Sequence, residues 1–211
     1  MREITRQEKF WKERFGNDYT ERNRGNNIIA ANLSLFARVL KTVKAENEIN
    51  SVVEFGCNVG LNLEALHYLL PKAEITGVEI NEQAFESLCK LEYVQAYNHS
   101  LFDFKVEKTY DLAFTKGVLI HQPPEMLDEA YALLYKSAAR YILIAEYYNP
   151  TPVEVVYHGN KSVLFKRDFC GDMLDRYSDL TLKDYGFIYH RDMLFPQDDL
   201  TWFLMEHEPI I

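Results

Sequence analysis

The stretch Glu54-Phe55-Gly56-Cys57-Asn58-Val59-Gly60 decides how the rest of the sequence is interpreted. The apolar pair Val52-Val53 leads into it and predicts a short buried strand, and a helix follows with an inner stripe of Leu63, Leu66 and Leu70. Glycine has no Cβ, so Gly56 and Gly60 allow a ligand to approach the backbone at the turn. Asn58 stands between them, and asparagine tolerates left-handed backbone angles better than most residues. The order strand, glycine turn, helix predicts a ligand-binding turn.

Strands and helices alternate after this turn. Further strands are predicted over residues 75–80, 93–97, 110–115, 141–147, 181–190 and 200–206. Helices are predicted over residues 82–90, from Pro123-Pro124 to about 138, and over 165–177. Alternation of this kind favours a parallel sheet covered by helices on both faces, and the last two strands fit an antiparallel edge. The prediction is a doubly wound α/β fold, Rossmann-like, with a mostly parallel seven-stranded sheet.

Two helices are predicted before the first strand. One covers residues 5–15, and the second covers 26–44, where apolar residues recur every three or four positions. We expect one domain over residues 1–211, composed of an N-terminal helical cap (1–45) and a Rossmann-like core (46–211).

Composition excludes several classes of function. The chain has 211 residues, 47% of them hydrophobic, and a formal net charge of −9, which disfavours general nucleic-acid binding. No apolar run is long enough to cross a bilayer, so we expect no membrane insertion and a cytoplasmic location. The three cysteines and six histidines show neither a disulfide framework nor metal-ligand spacing, so no metal is expected.

An acidic residue follows the glycine turn at an informative distance. Glu79 lies 19 residues after Gly60, at the end of the second predicted strand and next to Ile80. In Rossmann-type sites a carboxylate about 20 residues past the turn accepts hydrogen bonds from ribose hydroxyls. The glycine spacing differs from the Gly-x-Gly-x-x-Gly of dinucleotide sites, which disfavours a nicotinamide oxidoreductase.

The acidic-x-Gly-x-x-x-Gly pattern resembles the first motif of class I S-adenosylmethionine-dependent methyltransferases. Other stretches resemble the later motifs of that class: Ser100-Leu101-Phe102-Asp103 beside adenine, residues 111–121 at the fourth strand, and residues 141–150 at the fifth. The resemblance implies S-adenosyl-L-methionine as cofactor and S-adenosyl-L-homocysteine as product. Together with the spacing of Glu79 and the segment before the first strand, these motifs lead us to expect that the cofactor is held by Trp11, Tyr19, Arg22, Glu54, Gly56, Cys57, Asn58, Gly60, Glu79, Ile80, Ser100, Leu101, Lys116 and Gly117.

A narrower resemblance covers nearly the whole chain, from Phe10 to Phe203. The stretches that carry it are Phe10-Trp11, residues 15–23, 164–169 and 196–203, together with the motifs above. They resemble the bacterial methylases associated with pseudaminic acid biosynthesis. That family is named for its genetic neighbourhood, so the resemblance implies a surface-carbohydrate setting without establishing a substrate.

Two hypotheses concern groups near the reacting centre. His121 follows the fourth strand and is the candidate general base; the alternative is a histidine that only hydrogen-bonds the backbone at a helix start. Tyr19 and Arg22 are candidates for a lid over the methionine carboxylate, and the alternative is simple packing of an N-terminal helix.

A polar segment follows the fifth strand on the side expected to bind the acceptor. We expect substrate contacts from Tyr147, Tyr148, Tyr157, Lys166, Arg167, His190 and Arg191. Bases and tyrosines suit an anionic small molecule, because arginine matches carboxylate and phosphate geometry. The alternative is a solvated loop with packed aromatic residues.

The resulting prediction is methyl transfer to an oxygen, or a nitrogen, of a small anionic metabolite or activated sugar in surface-glycan biosynthesis. Two alternatives stay open. One is methylation of a phosphate group on a capsule or glycan precursor, which would need no base, and the other is a non-catalytic cofactor-binding regulatory protein.

Overall fold

The computed structural model describes residues 2–22, 25–43 and 48–208, with the side chains of Arg14, Arg22 and Asn26 outside the described part. Seven strands form the main sheet: β1 Ser51–Phe55, β2 Glu74–Glu79, β3 Val94–Asn98, β4 Tyr110–Lys116, β5 Ala138–Glu146, β8 Leu180–Ile188 and β9 Leu200–His207. Two short strands, β6 Val153–Glu154 and β7 Phe165–Lys166, pair as a separate antiparallel ribbon.

The main sheet has the order β3-β2-β1-β4-β5-β9-β8. β1 to β5 are parallel, and β9 runs antiparallel to both β5 and β8. The predicted mostly parallel seven-stranded sheet with an antiparallel edge is confirmed. The chain reverses its direction of winding between β1 and β4, and open α/β sheets bind ligands beyond the carboxyl ends of the strands at such a point.

Helices cover both faces of the sheet. Their bounds are α1 Arg6–Lys12, α2 Arg14–Arg22, α3 Asn26–Leu40, α4 Leu61–Leu69, α5 Glu82–Leu88, α6 Leu127–Ser137 and α7 Phe169–Arg176. Apolar residues of α3, α4 and α5 are buried on one face, and those of α6 and α7 on the other. Along β5, Ile142 and Ile144 point to the second face while Leu143 and Ala145 point to the first, as strand geometry requires.

Several predicted helices differ in their bounds, and those predicted over 26–44 and 82–90 end at Leu40 and Leu88. The first predicted helix is broken at Glu13, whose extended backbone (φ −98°, ψ −153°) separates α1 from α2. The helix at Pro123-Pro124 begins as a 3₁₀ turn over Pro124–Met126 before α6. The helix predicted over 165–177 begins at 169, because the Asp168 side chain accepts a hydrogen bond from the Gly171 backbone amide, and Phe165 and Lys166 pair in the ribbon.

The three cysteines differ in their environments. Cys57 and Cys170 are buried and Cys89 is exposed, and all three are free thiols. Burial raises the pKa of the Cys57 and Cys170 thiols, the latter to about 12. Among the described residues, no helix is long and apolar enough to cross a membrane, and no group of three or more His, Cys, Asp or Glu side chains is arranged to hold a metal ion.

Candidate cofactor and acceptor site

A cavity lies where the carboxyl ends of β1, β2 and β4 meet the N-terminal helices. The predicted motifs at the ends of β1, β2, β3 and β4 contribute to its lining, as do α1, α2 and α3, whereas the fifth-strand motif does not. The cavity brings together most of the predicted cofactor residues with the candidate base: Trp11, Tyr19, Gly56, Cys57, Asn58, Glu79, Ile80, Ser100, Leu101, Lys116, Gly117 and His121. Residues far apart in sequence therefore share one site because the parallel sheet aligns its strand ends.

The glycine turn has the left-handed backbone that its sequence predicts. The φ angles are +76° at Gly56, +50° at Asn58 and +88° at Gly60. A Cβ on Gly56 would lie 2.5 Å from a methyl carbon of Val118, so this position excludes any side chain. Gly60 does not line the cavity: a Cβ there would meet Leu88 at 2.7 Å, so this glycine allows close packing of α4.

Glu79 closes the turn from the end of β2. Its two side-chain oxygens accept hydrogen bonds from the backbone amides of Asn58 and Asn81, each at 2.7 Å, and the side chain is buried. Burial raises the pKa of this carboxyl, while the amide hydrogen bonds oppose the rise. A carboxylate oxygen has two lone pairs, so Glu79 keeps acceptor capacity toward the cavity.

Glu54 lies behind the turn rather than in the cavity lining. Its side chain is fully buried, and one oxygen accepts a hydrogen bond from the Asn62 amide nitrogen at 2.6 Å. The other oxygen has no partner among the described residues, and burial raises the pKa of Glu54 to about 8. The predicted direct cofactor contact is therefore not seen for this residue.

Lys116 is enclosed at the end of β4. Its ammonium donates to the side-chain oxygen of Asn32 on α3 at 3.2 Å, and burial lowers its pKa. Asn32 is 1% exposed and lines the cavity. Sequence analysis missed Asn32, although an asparagine beside the apolar stripe of the predicted helix 26–44 was a visible signal.

The N-terminal helices are attached to the turn and to the loops around it. Thr20 donates its hydroxyl to the Asn58 side-chain oxygen at 3.1 Å, and the Asn81 amide nitrogen donates to the Trp11 carbonyl at 3.1 Å. Glu8 on α1 lines the cavity and forms an ion pair with Arg2. Burial alone would raise the pKa of Glu8, but hydrogen bonds from Arg2, Ser100 and Thr5 lower it to about 2. The side chain of Arg22, predicted as part of a lid, lies outside the described residues. Cavity residues that sequence analysis also missed are Gln7, Glu8, Thr20, Asn81 and Gln122.

His121 lies in a 3₁₀ turn at the acceptor side of the cavity. Its Nδ1 is 2.6 Å from the Val163 carbonyl oxygen, so Nδ1 carries the proton and Nε2 is the basic nitrogen. Burial lowers the pKa of His121 to about 4, so the ring is neutral at ordinary pH. The rings of Trp11 and Tyr157 lie 4.7 and 5.1 Å away, centroid to centroid.

Glu146 holds the turn that carries His121. One of its oxygens accepts hydrogen bonds from the amides of Val118 and Leu119 at 2.9 and 3.0 Å. Glu146 is 2% exposed, and burial raises its pKa to about 7. Sequence analysis placed this residue in the fifth-strand motif without giving it a role.

Three of the seven predicted acceptor residues lie in a second recess. Tyr147, Lys166 and His190 line it with Asp198 and Asp199. Its basic side chains have a carboxylate neighbour: His190 Nδ1 is 2.9 Å from Asp199, and the charge of Lys166 helps to lower the pKa of Asp199. This pairing weakens the argument for a strongly anionic acceptor at this recess.

The remaining predicted acceptor residues are dispersed. Arg167 forms an ion pair with Asp172 at 2.7 Å, in the first turn of α7. Tyr148 and Arg191 are exposed on the surface. Tyr157 packs against the ring of His121, so of these four it is the one that contacts a residue lining the cavity.

Solved structures similar to this chain were found at low sequence identity. Magnesium protoporphyrin IX methyltransferase from Synechocystis PCC 6803 with bound S-adenosylhomocysteine has a TM-score of 0.68 and 16% identity, over 95% of this chain and 98% of that one. The chain has the fold of S-adenosylmethionine-dependent methyltransferases. The plantazolicin methyltransferase BpumL in complex with S-adenosylhomocysteine has a TM-score of 0.66 and 15% identity, over 96% of this chain and 94% of that one.

A third similar structure is the 1,6-didemethyltoxoflavin-N1-methyltransferase of Burkholderia thailandensis. It was crystallised with 1,6-didemethyltoxoflavin and S-adenosylhomocysteine; its TM-score is 0.66 with 14% identity, over 92% of this chain and 84% of that one. No protein-family model matches the chain, and no curated protein matches its sequence. At these identities the similarity establishes the fold, while an activity has to be argued from the site.

Proposed function

We propose that the chain is an S-adenosylmethionine-dependent methyltransferase. The observation that carries this proposal is the cavity at the switch point, where Glu79, the left-handed glycine turn and Lys116 meet. Glu79 offers acceptor lone pairs for ribose hydroxyls, and the turn offers backbone without a Cβ at Gly56. All three similar structures named above were crystallised with S-adenosylhomocysteine.

The cofactor supplies, when bound, an electrophilic methyl group on a sulfonium. The chain's own contribution is to place an acceptor atom near it and in line, and positioning of this kind can lower a barrier by about 7–11 kcal/mol. We propose Ser100 and Leu101 for the adenine end, Glu79 for the ribose, and the glycine turn with Lys116 for the methionine end. His121 and the second recess would contact the acceptor.

For the acceptor we propose an oxygen, or a nitrogen, of a small anionic metabolite or activated sugar in surface-glycan biosynthesis. The carbohydrate setting is supported only by the resemblance of the sequence to the pseudaminic acid-associated methylases. Methylation of a phosphate group, or of another oxygen that is already anionic, is the second candidate. A pKa of about 4 makes His121 a weak base, which favours an acceptor that has no proton to lose.

Calorimetric titration tests the class of cofactor. We expect micromolar binding of S-adenosylmethionine and S-adenosylhomocysteine, and no binding of NADH. Binding of NADH alone, or of none of the three, would reject the proposed function and leave the fold.

The acceptor is then sought by mass spectrometry in a panel of sugar phosphates, sugar acids and neutral sugars incubated with the methyl donor. Once a product is found, His121→Ala separates the two acceptor candidates. A large loss of turnover supports a base that removes a proton, and a small loss supports an anionic acceptor oxygen. Binding of the methyl donor without methylation of any acceptor in the panel would favour a regulatory cofactor-binding protein.

A further inference from the structure

One buried hydrogen-bond donor of the cavity has no partner. The side-chain nitrogen of Asn32 makes no hydrogen bond within the described residues, although Asn32 is 1% exposed. Leaving such a donor unpaired costs about 1–3 kcal/mol, so unpaired buried donors are rare in folded proteins. Asn32 lines the cavity, so an oxygen of a bound molecule could reach this donor from there.

A second donor lies beside the first. The Asn32 side-chain oxygen accepts a hydrogen bond from the Lys116 ammonium at 3.2 Å. This bond fixes the orientation of the Asn32 amide and keeps the amide nitrogen and the ammonium close to each other. An ammonium has three protons, so this bond leaves Lys116 with further donor capacity. Lys116 also lines the cavity.

Among the described residues, the nearby carboxylates make no hydrogen bond with Lys116. Glu54 accepts a hydrogen bond from Asn62, and Glu146 accepts from the backbone of the turn after β4. Both carboxylates act on the Lys116 charge through space, with Asp198 as the third. A buried ammonium is favoured when a negative group makes direct hydrogen bonds with it, and a ligand oxygen in the cavity is placed to do so.

We propose that Asn32 and Lys116 together bind an anionic oxygen, from a carboxylate or a phosphate, which a ligand places at the end of β4. A neutral acceptor oxygen would satisfy the amide donor but would leave the ammonium without a negative group in direct hydrogen bonding. A cation would be repelled by Lys116. The inference rests on the proposed function only for the source of the oxygen, which is either the methionine carboxylate of the methyl donor or an acidic group of the acceptor.

Two substitutions at Asn32 remove the free donor in different ways. Asn32→Asp keeps an acceptor oxygen for Lys116 and replaces the amide nitrogen by a second acceptor, so it opposes an anionic ligand. Asn32→Leu removes the donor without adding charge, so an effect that both variants share cannot come from the added carboxylate. Asn27→Asp adds the same charge at an exposed position of the same helix and is the matched control.

Binding is measured by calorimetry with three probes: S-adenosylmethionine, its decarboxylated form, and inorganic phosphate added to protein saturated with S-adenosylhomocysteine. If the oxygen belongs to the methionine carboxylate, both Asn32 variants weaken S-adenosylmethionine about tenfold or more. The decarboxylated form then binds the wild type and Asn32→Leu equally. If the oxygen belongs to the acceptor, S-adenosylmethionine binds unchanged, and phosphate binds the wild type and the control but neither Asn32 variant.

The proposal is overturned if both variants bind all three probes as the wild type does, or if they weaken S-adenosylmethionine and its decarboxylated form equally. Circular dichroism and melting temperatures confirm that each variant is folded before its affinities are compared. Failure of the wild type to bind S-adenosylmethionine would reject the proposed function. In that case phosphate is titrated into the protein alone, and equal binding to wild type and variants, or binding to none of them, rejects the site.

Discussion

The cavity at the ends of β1, β2 and β4 and the recess at the end of β5 differ in how their polar groups are satisfied. In the cavity, Glu79 is buried and the Asn32 nitrogen has no partner. In the recess, His190 and Asp199 are about half exposed, at 54% and 49%, and pair with each other. Buried polar groups with unused hydrogen-bonding capacity reduce the stability of the fold unless a ligand contacts them, whereas exposed groups that pair with each other need no ligand.

This difference predicts which of the two regions contributes more to the free energy of ligand binding. The cavity is preorganised, because its backbone and carboxylates are fixed by hydrogen bonds before anything binds. The recess would have to exchange its own ion pairs for contacts with an acceptor, so each contact there is expected to contribute less. The two regions can therefore be separated by substitutions.

The largest effect is expected from Glu79→Ala. This change removes the proposed ribose acceptor and leaves the buried amides of Asn58 and Asn81 without partners, so affinity for S-adenosylhomocysteine should fall by about a hundredfold or more. Calorimetry measures the loss, with Glu86→Ala on the exposed side of α5 as control. An unchanged affinity would remove the basis for placing the ribose at Glu79.

A stability effect is expected from Glu54→Gln. Burial raises the pKa of Glu54 from 4.5 to about 8, so the folded protein holds this proton more tightly than the unfolded chain does. The wild type should therefore lose unfolding free energy as pH rises from about 4.5 to about 8, by more than about 1 kcal/mol relative to the variant.

Urea denaturation at pH 5 and pH 8 measures this difference, and Glu86→Gln provides the matched exposed control. If wild type and Glu54→Gln lose the same unfolding free energy between the two pH values, burial behind the glycine turn does not hold Glu54 in its neutral form. The comparison between buried and exposed groups would then fail at this residue.

A smaller effect is expected from Thr20→Val. The substitution keeps the shape of the side chain and removes the hydrogen bond from the Thr20 hydroxyl to Asn58. A single hydrogen bond of this type contributes about 0.5–1.5 kcal/mol, so the dissociation constant of S-adenosylhomocysteine should rise about two- to tenfold. A rise of that size, with an unchanged melting temperature, would show that α2 contributes to the cavity by holding the turn.

The smallest effect is expected from Lys166→Ala in the recess. Because the recess is separate from the lining of the cavity, affinity for S-adenosylhomocysteine should change less than about twofold. Once an acceptor is known, the same variant should bind it more weakly than the wild type does. A loss of S-adenosylhomocysteine affinity comparable with that of Glu79→Ala would show that the two regions act as one.

Sequence analysis predicted the part of the cavity that is local to the strands. Glu79 and Lys116 are the last residues of their strands and Ser100 lies two residues after β3, so a correct sheet order is enough to bring them together. Asn32 and Thr20 could not be placed in this way, because their approach to the turn depends on how separate helices pack. Helix periodicity predicts which face is buried, but not which strand end it meets.

The acceptor side was predicted less well for a different reason. Lys166, Arg167 and His190 were predicted to contact the substrate, but Asp172 lies close to Arg167 and Asp199 lies close to His190 in the fold. The His190–Asp199 pair depends on the register of β8 with β9, which alternating residues alone do not specify. Charge in a sequence indicates where an ion can bind only when its neighbours in space are known.

The distribution of the thiols gives the protein a natural position for a spectroscopic probe. Cys57 and Cys170 are enclosed and hard to ionise, so a maleimide dye added to the folded protein should attach at Cys89. Cys89 caps the end of α5, the helix whose first turn begins at Asn81 beside Glu79. A fluorophore there would report ligand-induced changes in the native chain without any engineered cysteine.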